Sequence, residues 1–131
     1  MSLRLSKWTA VLVLSLVLLG IMGSTALAYY GPWYYSAIVP KFGGIWWGDL
    51  LRASGPNEKN YTSSVGGSYN GDMWGYVADM SGRRLTPSQP LYKGQWTYYY
   101  SGAHTGLLIR YIIKSEWWVP VNVQVTGSFY Y

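Results

Sequence analysis

The chain has 131 residues, of which 10 are lysine or arginine, 5 are aspartate or glutamate, 1 is histidine and none is cysteine. The basic residues are scattered and only Arg83 and Arg84 are adjacent, which excludes the basic run of a nucleic-acid-binding protein. Without cysteine there are no disulfides, so packing alone must stabilise the fold, and 8 tryptophans and 14 tyrosines supply large apolar areas for it.

Residues 1–28 have the three parts of a secretory signal peptide. Arg4 and Lys7 give a positive start, residues 10–20 are almost entirely apolar, and small residues form an Ala-x-Ala end at Ala28. We therefore predict a secreted, extracellular protein with one domain at residues 29–131, whose 8 basic and 5 acidic residues leave a net charge of about +3. An uncleaved membrane anchor is the alternative, because the apolar stretch is barely long enough to span a bilayer.

The rest of the chain predicts short strands separated by turn residues. No window has apolar residues at helical spacing. We predict an all-β fold, either an antiparallel β-sandwich or a small barrel of about seven strands, preceded by the signal helix. The predicted strands are residues 34–39, 45–52, 61–69, 73–79, 95–101, 107–114 and 119–130.

The clearest strand signal lies near the C-terminus. Val121, Val123, Val125 and Phe129 occupy alternate positions, with Gly127 keeping the register and polar residues between them. Successive side chains of a strand point to opposite faces, so we predict that these apolar residues form a buried face. The pattern is typical of a strand that closes an antiparallel sheet.

Turn residues predict how other strands connect. Asn70-Gly71 is typical of a two-residue hairpin because both residues tolerate positive φ. Residues 73–79 are therefore expected to pair back on residues 61–69. Pro87 and Pro90 exclude their stretch from a central ladder, because proline has no N–H donor.

Adjacent aromatic residues are the feature that bears most on function. Because neighbours on a strand point to opposite faces, at least one ring of each group must face outward unless another segment covers it. Outward Trp and Tyr rings suit binding, since they offer rigid area and a polar group. The sequence leaves open which member of each group is exposed. Besides the doublet Tyr34-Tyr35, the candidate binding residues are Trp46, Trp47, Tyr98, Tyr99, Tyr100, Trp117 and Trp118.

Signals for catalysis are weaker. His104 has Ser101 nearby but no G-x-S-x-G motif, so we interpret it as a surface residue. Asp72 and Asp79 end a predicted strand, which indicates solvated positions rather than a glycosidase pair. Arg83-Arg84 indicates a solvated turn. With one histidine, no cysteine and no Asp-rich loop, we predict no metal and no other cofactor.

Short motifs along most of residues 29–131 carry a resemblance. They are residues 35–38, Arg52-Ala53, Tyr61-Thr62-Ser63-Ser64, Lys93-Gly94-Gln95 and Val125-Thr126-Gly127-Ser128-Phe129. In this order they resemble a family of short secreted proteins of unassigned function from Gram-positive bacteria. The aromatic end Phe129-Tyr130-Tyr131 has a fainter resemblance to lactococcin-type bacteriocins. Both resemblances imply an exported β-sandwich, and neither transfers a catalytic residue.

The sequence thus predicts a non-catalytic recognition protein of the cell envelope, with bacteriocin-like action on a neighbouring cell as one form. Its expected partner is cell-wall glycan or another envelope component, with membrane contact only through the signal segment or weak surface attraction. The second hypothesis is self-association of strand edges into an extracellular filament or coat. The third is a secreted hydrolase whose turnover depends on His104 or Asp72.

Overall fold

A computed structural model describes residues 28–131, so the predicted signal peptide lies outside the described residues except for Ala28. Residues 28–131 contain nine β-strands and no helix, hence no helix of the length and hydropathy that a membrane span needs. The predicted all-β class is confirmed. The strands are β1 (Trp33–Val39), β2 (Ile45–Trp47), β3 (Leu51–Arg52), β4 (Asn57–Val65), β5 (Met73–Asp79), β6 (Gln89–Pro90), β7 (Trp96–Tyr100), β8 (Leu108–Ser115) and β9 (Val123–Tyr130).

The strands form two antiparallel sheets that pack as a sandwich. The four-stranded sheet has the order β1-β9-β4-β7, and the five-stranded sheet has the order β2-β8-β5-β6, with β3 also paired to β8. Although β9 is last in the chain, it lies inside its sheet between β1 and β4 rather than closing an edge. Pro90 lies in the edge strand β6, in agreement with its missing N–H donor.

The core between the sheets is built around aromatic rings. Tyr111 on β8 stacks on Phe129 of β9 with ring centroids 4.7 Å apart, and it lies 5.9 Å from Tyr35 of β1. Its hydroxyl forms a 2.7 Å hydrogen bond with the hydroxyl of Tyr99 on β7. Burial raises the pKa of Tyr99 and of Tyr111, which keeps both hydroxyls protonated. In this cysteine-free domain, the packed rings and the hydrogen bond between them link the two sheets, a role that disulfides have in many small secreted domains.

The predicted strand at residues 45–52 is interrupted. β2 pairs Trp47 with Ile112, and β3 pairs Leu51 with Ile109, so one extra residue is accommodated between them. Gly48 donates its N–H to the Tyr111 carbonyl at 2.8 Å, and a Cβ on Gly48 would lie 2.7 Å from that oxygen. This close approach requires glycine and ends β2.

The predicted hairpin at Asn70-Gly71 is wrong. β4 and β5 lie in different sheets, and β5 pairs with β8 and β6 instead. A two-residue type I′ hairpin needs positive φ at both central residues, but only Gly71 has one, at 88°. The turn therefore carries the chain from one sheet to the other.

β4 begins and ends four residues before its predicted position at 61–69. Its inward residues Glu58, Asn60 and Thr62 are buried and polar, so the alternation of apolar residues is missing. Asn60 accepts a 2.7 Å hydrogen bond from the Tyr35 hydroxyl and donates to Thr62 at 3.1 Å. These hydrogen bonds make the burial of polar side chains tolerable.

β9 begins four residues later than predicted, at Val123. Val123, Val125 and Phe129 are buried as expected, but Val121 is exposed in the preceding loop. β1 ends opposite Val123, so no strand is left to pair with Val121.

Candidate functional site: an aromatic face

The outer face of the four-stranded sheet carries aromatic side chains from all four strands. β7 contributes Trp96, Tyr98 and Tyr100 at alternate positions, with exposed fractions of 43%, 62% and 69%. Tyr34 on β1 is 74% exposed. The set, called the aromatic face below, consists of Tyr34, Tyr61, Trp96, Tyr98, Tyr100 and Tyr130.

The register of the sheet brings these rings together. Tyr61 on β4 is opposite both Trp96 on β7 and Ser128 on β9, and Ser128 is opposite Tyr34 on β1. The ring centroids of Tyr61 and Trp96 are 5.1 Å apart, and those of Trp96 and Tyr130 are 5.5 Å apart. Because paired residues point to the same face, all six rings lie on one side of the sheet, and Tyr61, Trp96 and Tyr130 are in contact there.

Lys59 lies at the centre of the aromatic face, opposite Tyr98 and Tyr130 in the register. Its Nζ is 4.7 Å from the ring centroid of Tyr29, 4.8 Å from that of Trp96 and 5.0 Å from that of Tyr130. A cation–π contact of this kind contributes about 0.5–1 kcal/mol at an exposed site. The lysine therefore orders three rings and adds N–H donors to the surface.

Uncharged hydrogen-bonding groups border the aromatic face. The hydroxyls of Ser64 and Thr126 hydrogen-bond to each other, and Gln124 donates to Ser36 at 2.9 Å. Within the described strands, no acidic residue occupies an outward position on this sheet. A groove of about 310 Å³ adjoins the face and is lined by Gln89, Pro90, Tyr92, Gln95, Trp96, Thr97 and Tyr98.

The structure places only two of the seven predicted binding residues on this face. Tyr98 and Tyr100 belong to it, whereas Tyr99 between them points inward and is 4% exposed. Trp46 is half-buried, with its ring stacked 6.2 Å from that of Trp33. Tyr99 is therefore a core residue, and Trp46 packs at the margin of the core.

The other three predicted residues are exposed, but none lies on the four-stranded sheet. Trp47 lies on the outer face of the five-stranded sheet. Trp117 and Trp118 lie in the loop after β8, where Trp117 is 78% exposed. Phe42, whose backbone φ of 55° is unfavourable for a bulky residue, is held beside this loop by its 2.8 Å N–H hydrogen bond to the Val119 carbonyl.

Sequence reasoning missed Lys59, Tyr61, Trp96 and Tyr130. The signal that could have found them is alternate spacing, since Trp96 precedes Tyr98 by two residues and Lys59 precedes Tyr61 by two. That spacing shows which residues share a face of one strand. It does not show that the two strands are neighbours.

The residues considered for Ser-His catalysis are not assembled. The Ser101 hydroxyl donates to Glu58 at 2.9 Å, and the hydroxyl of Thr105, the residue after His104, donates to a backbone carbonyl at 2.9 Å. His104 is exposed and lines an open groove of about 400 Å³. Among residues 28–131, no three side chains of the metal-binding types come together.

Asp72 and Asp79 cannot act as a glycosidase pair. They lie at opposite ends of β5, roughly 20 Å apart at the usual rise per residue, whereas such pairs are about 5–10 Å apart. A 2.7 Å hydrogen bond from the Ser81 hydroxyl is the main cause of a lowered pKa for Asp79. Arg83 adds an ion pair at 3.3 Å, so Asp79 stays ionised and stabilises the turn after β5.

Comparison with known proteins adds little to this geometry. No protein-family model and no curated protein sequence matches the chain. The crystal structure of FlhE is similar to it with a TM-score of 0.45 and 12% sequence identity, over 76% of this chain and 94% of that chain. A similarity this low carries no argument about function, so the functional case depends on the side chains described above.

Proposed function

We propose that this protein is a secreted, non-catalytic recognition protein of the cell envelope that binds glycan through the aromatic face. The observation that supports this proposal is that six outward rings from four neighbouring strands lie on one face, where Lys59 contacts two of them, Trp96 and Tyr130. Large exposed aromatic clusters on small domains mark interaction sites more often than scattered single rings do.

Glycan suits this surface better than a purely apolar ligand. Sugar rings have C–H faces that pack on aromatic rings, and hydroxyls that need hydrogen-bond partners. The tyrosine hydroxyls, the Lys59 ammonium group and the side chains of Gln89 and Gln95 supply such partners around the rings. The surface is open along the sheet, which accommodates an extended chain of sugars.

The test measures co-sedimentation of the purified protein with insoluble cell-wall glycan. We expect saturable binding, and we expect the double substitution Trp96→Ala and Tyr98→Ala to weaken it about 30-fold, because each stacked ring contributes about 1 kcal/mol. Both side chains are substantially exposed, so the fold should tolerate their removal.

The matched control is the double substitution Trp117→Ala and Trp118→Ala. It also removes two exposed rings, but from a loop outside the four-stranded sheet. We expect this variant to bind as the wild type does. Equal binding by the Trp96/Tyr98 variant and the wild type would contradict the proposal, as would an equal loss in the control.

Self-assembly through strand edges has less support. The Gln89 side chain donates to the Tyr98 carbonyl on edge strand β7 at 2.8 Å, which occupies a group that an incoming strand would need. Pro90 removes a donor from edge strand β6. Velocity sedimentation separates the two functions, because assembly predicts large ordered particles and recognition predicts a monomer.

A further inference from the structure

Two arginines share one cross-strand row on the outer face of the five-stranded sheet. Ala78 on β5 is opposite Arg110 of β8 on one side and opposite Arg84 on the other. Since neighbouring strands are about 4.8 Å apart, the two arginine backbones are about 10 Å apart. The pair Arg84 and Arg110 is called the arginine row below.

Each guanidinium group of the arginine row stacks on an aromatic ring. The Cζ of Arg84 is 4.5 Å from the ring centroid of Tyr76, and the Cζ of Arg110 is 5.3 Å from that of Trp47. The Trp47 ring reaches across the sheet into the space that a side chain at Gly82 would fill. A guanidinium that stacks on a ring can still contact an oxyanion through its in-plane N–H groups, except through Arg110 Nε, which is buried.

Neither arginine is neutralised by an acidic side chain in the described part of the chain. The one ion pair there joins Arg83 to Asp79, and Arg110 Nε is buried without a hydrogen-bond acceptor. Asp49 lies beside Arg110 in the register, in the interruption between β2 and β3, but it forms no ion pair with it. The charge of the row is therefore free to attract an anion.

The surrounding face adds positive charge. Arg52 on β3 and Lys114 on β8 also occupy outward positions, and the outward residues of β5 are all uncharged. One acid borders this face beside Lys114, since Glu116 and Lys114 together line a small groove of about 230 Å³. Four of the eight basic residues of the domain thus share one side of the sandwich.

We propose that the arginine row binds an anionic polymer of the cell envelope that carries repeated carboxylate or phosphate groups. Charge complementarity supports an anionic partner, and two separated guanidinium groups suit repeated anions better than a single one. This surface lies on the opposite side of the sandwich from the aromatic face. The inference goes beyond glycan recognition and does not depend on it.

Isothermal titration calorimetry of the purified protein with three probes tests the proposal. The probes are sodium polygalacturonate, inorganic polyphosphate and neutral dextran, at low and physiological salt. We expect binding to at least one polyanion, with affinity that falls as salt increases, whereas any binding of dextran to the aromatic face should not change with salt. Preference for polygalacturonate assigns a carboxylate polymer, and preference for polyphosphate assigns a phosphate polymer. Binding to neither would overturn the proposal.

Two double substitutions distinguish binding by the arginine row from a general effect of net charge. We expect Arg84→Gln with Arg110→Gln to weaken binding about tenfold or more, since two charge-assisted contacts are lost. Lys41→Gln with Lys93→Gln removes the same charge from exposed positions elsewhere, and the affinity should change less than about threefold. An equal loss in both variants would show a general charge effect and overturn the proposal.

Two further variants test the proposal even if the Arg84/Arg110 double substitution prevents folding. Arg84→Gln alone alters an exposed side chain, and it should still weaken polyanion binding about threefold or more. Tyr98→Ala, on the aromatic face, should leave polyanion binding unchanged. If Arg84→Gln binds polyanion as the wild type does, the guanidinium groups only cover the sheet and the proposal fails, whatever the outcome for glycan.

Discussion

Glu58 is a carboxylic acid buried in the core of the sandwich. One of its oxygens accepts the hydrogen bond from Ser101, and the other, Oε1, has no partner. Burial raises the pKa of Glu58 from its ordinary value of 4.5 to about 7. Between those two pH values, the folded protein keeps a proton that the unfolded chain has lost.

This raised pKa makes stability depend on pH. Because proton binding to Glu58 favours the folded state, its contribution to the free energy of unfolding is complete below pH 4.5 and is lost as the pH rises to about 7. The loss is about 1.4 kcal/mol per pH unit and about 3 kcal/mol in total. Glu58→Gln removes the titration. We expect it to gain about 3 kcal/mol in unfolding free energy, relative to wild type, between pH 4.5 and pH 8.

Urea unfolding of both proteins at pH 4.5, 6 and 8 measures this difference. Glu116→Gln, at a half-buried loop position, removes one acid from outside the core and serves as the control. If the difference in unfolding free energy between Glu58→Gln and wild type stays constant from pH 4.5 to pH 8, the pKa of Glu58 is not raised in the folded protein.

A glycine on β5, Gly75, leaves the space for the hydrogen bond that joins the two sheets. A Cβ on Gly75 of β5 would overlap the Tyr111 hydroxyl and lie 2.8 Å from the Tyr99 hydroxyl. These two hydroxyls form the hydrogen bond that links β8 of one sheet to β7 of the other. The absence of a side chain at Gly75 is therefore what lets the two sheets be joined there.

Gly75→Ala should consequently destabilise the fold. We expect a loss of about 3 kcal/mol, from overpacking and from breaking the buried hydrogen bond between the tyrosines. Thermal and urea unfolding measure it, and adding Tyr111→Phe should recover part of the loss because it removes the overlapping hydroxyl.

Gly55→Ala is the matched control for this substitution. A Cβ on Gly55 would meet no atom within 4 Å, and the φ of Gly55 is not in the left-handed region. We expect a change within about 0.5 kcal/mol. Equal effects at the two glycines would mean that the overlap at Gly75 is relieved by movement of the strands.

At the scale of the whole molecule, the two proposed binding surfaces lie on opposite sides. The aromatic face belongs to the outer side of the four-stranded sheet, and the arginine row to the outer side of the five-stranded sheet. The core separates them, so a ligand on one does not block the other. One domain can then hold a glycan and an anionic polymer together.

Simultaneous binding is directly measurable. We expect insoluble cell-wall glycan to retain labelled polyanion from solution when the protein is present and not when it is absent. Either the Trp96/Tyr98 or the Arg84/Arg110 double substitution should reduce retention about tenfold or more. If added polyanion instead releases the protein from the glycan, the two surfaces compete and this arrangement is wrong.

The alternation of side chains within each strand could be predicted from the sequence. Tyr98, Tyr99 and Tyr100 point outward, inward and outward because consecutive residues of an extended chain face opposite ways. The polar inner face of β4 and the interruption at Gly48 could not be predicted from the sequence, because both depend on contacts with distant residues such as Tyr35 and Tyr111.

The all-β class and the short, turn-bounded strands follow from local sequence, because backbone preference and side-chain alternation act over a few residues. The positions of Lys59 opposite Tyr98, and of Ala78 between Arg84 and Arg110, arise only when the strands pair in the folded protein. Those neighbours are chosen by packing of the whole sandwich. Chemically similar strands pair equally well locally, and burial of the common core selects among them.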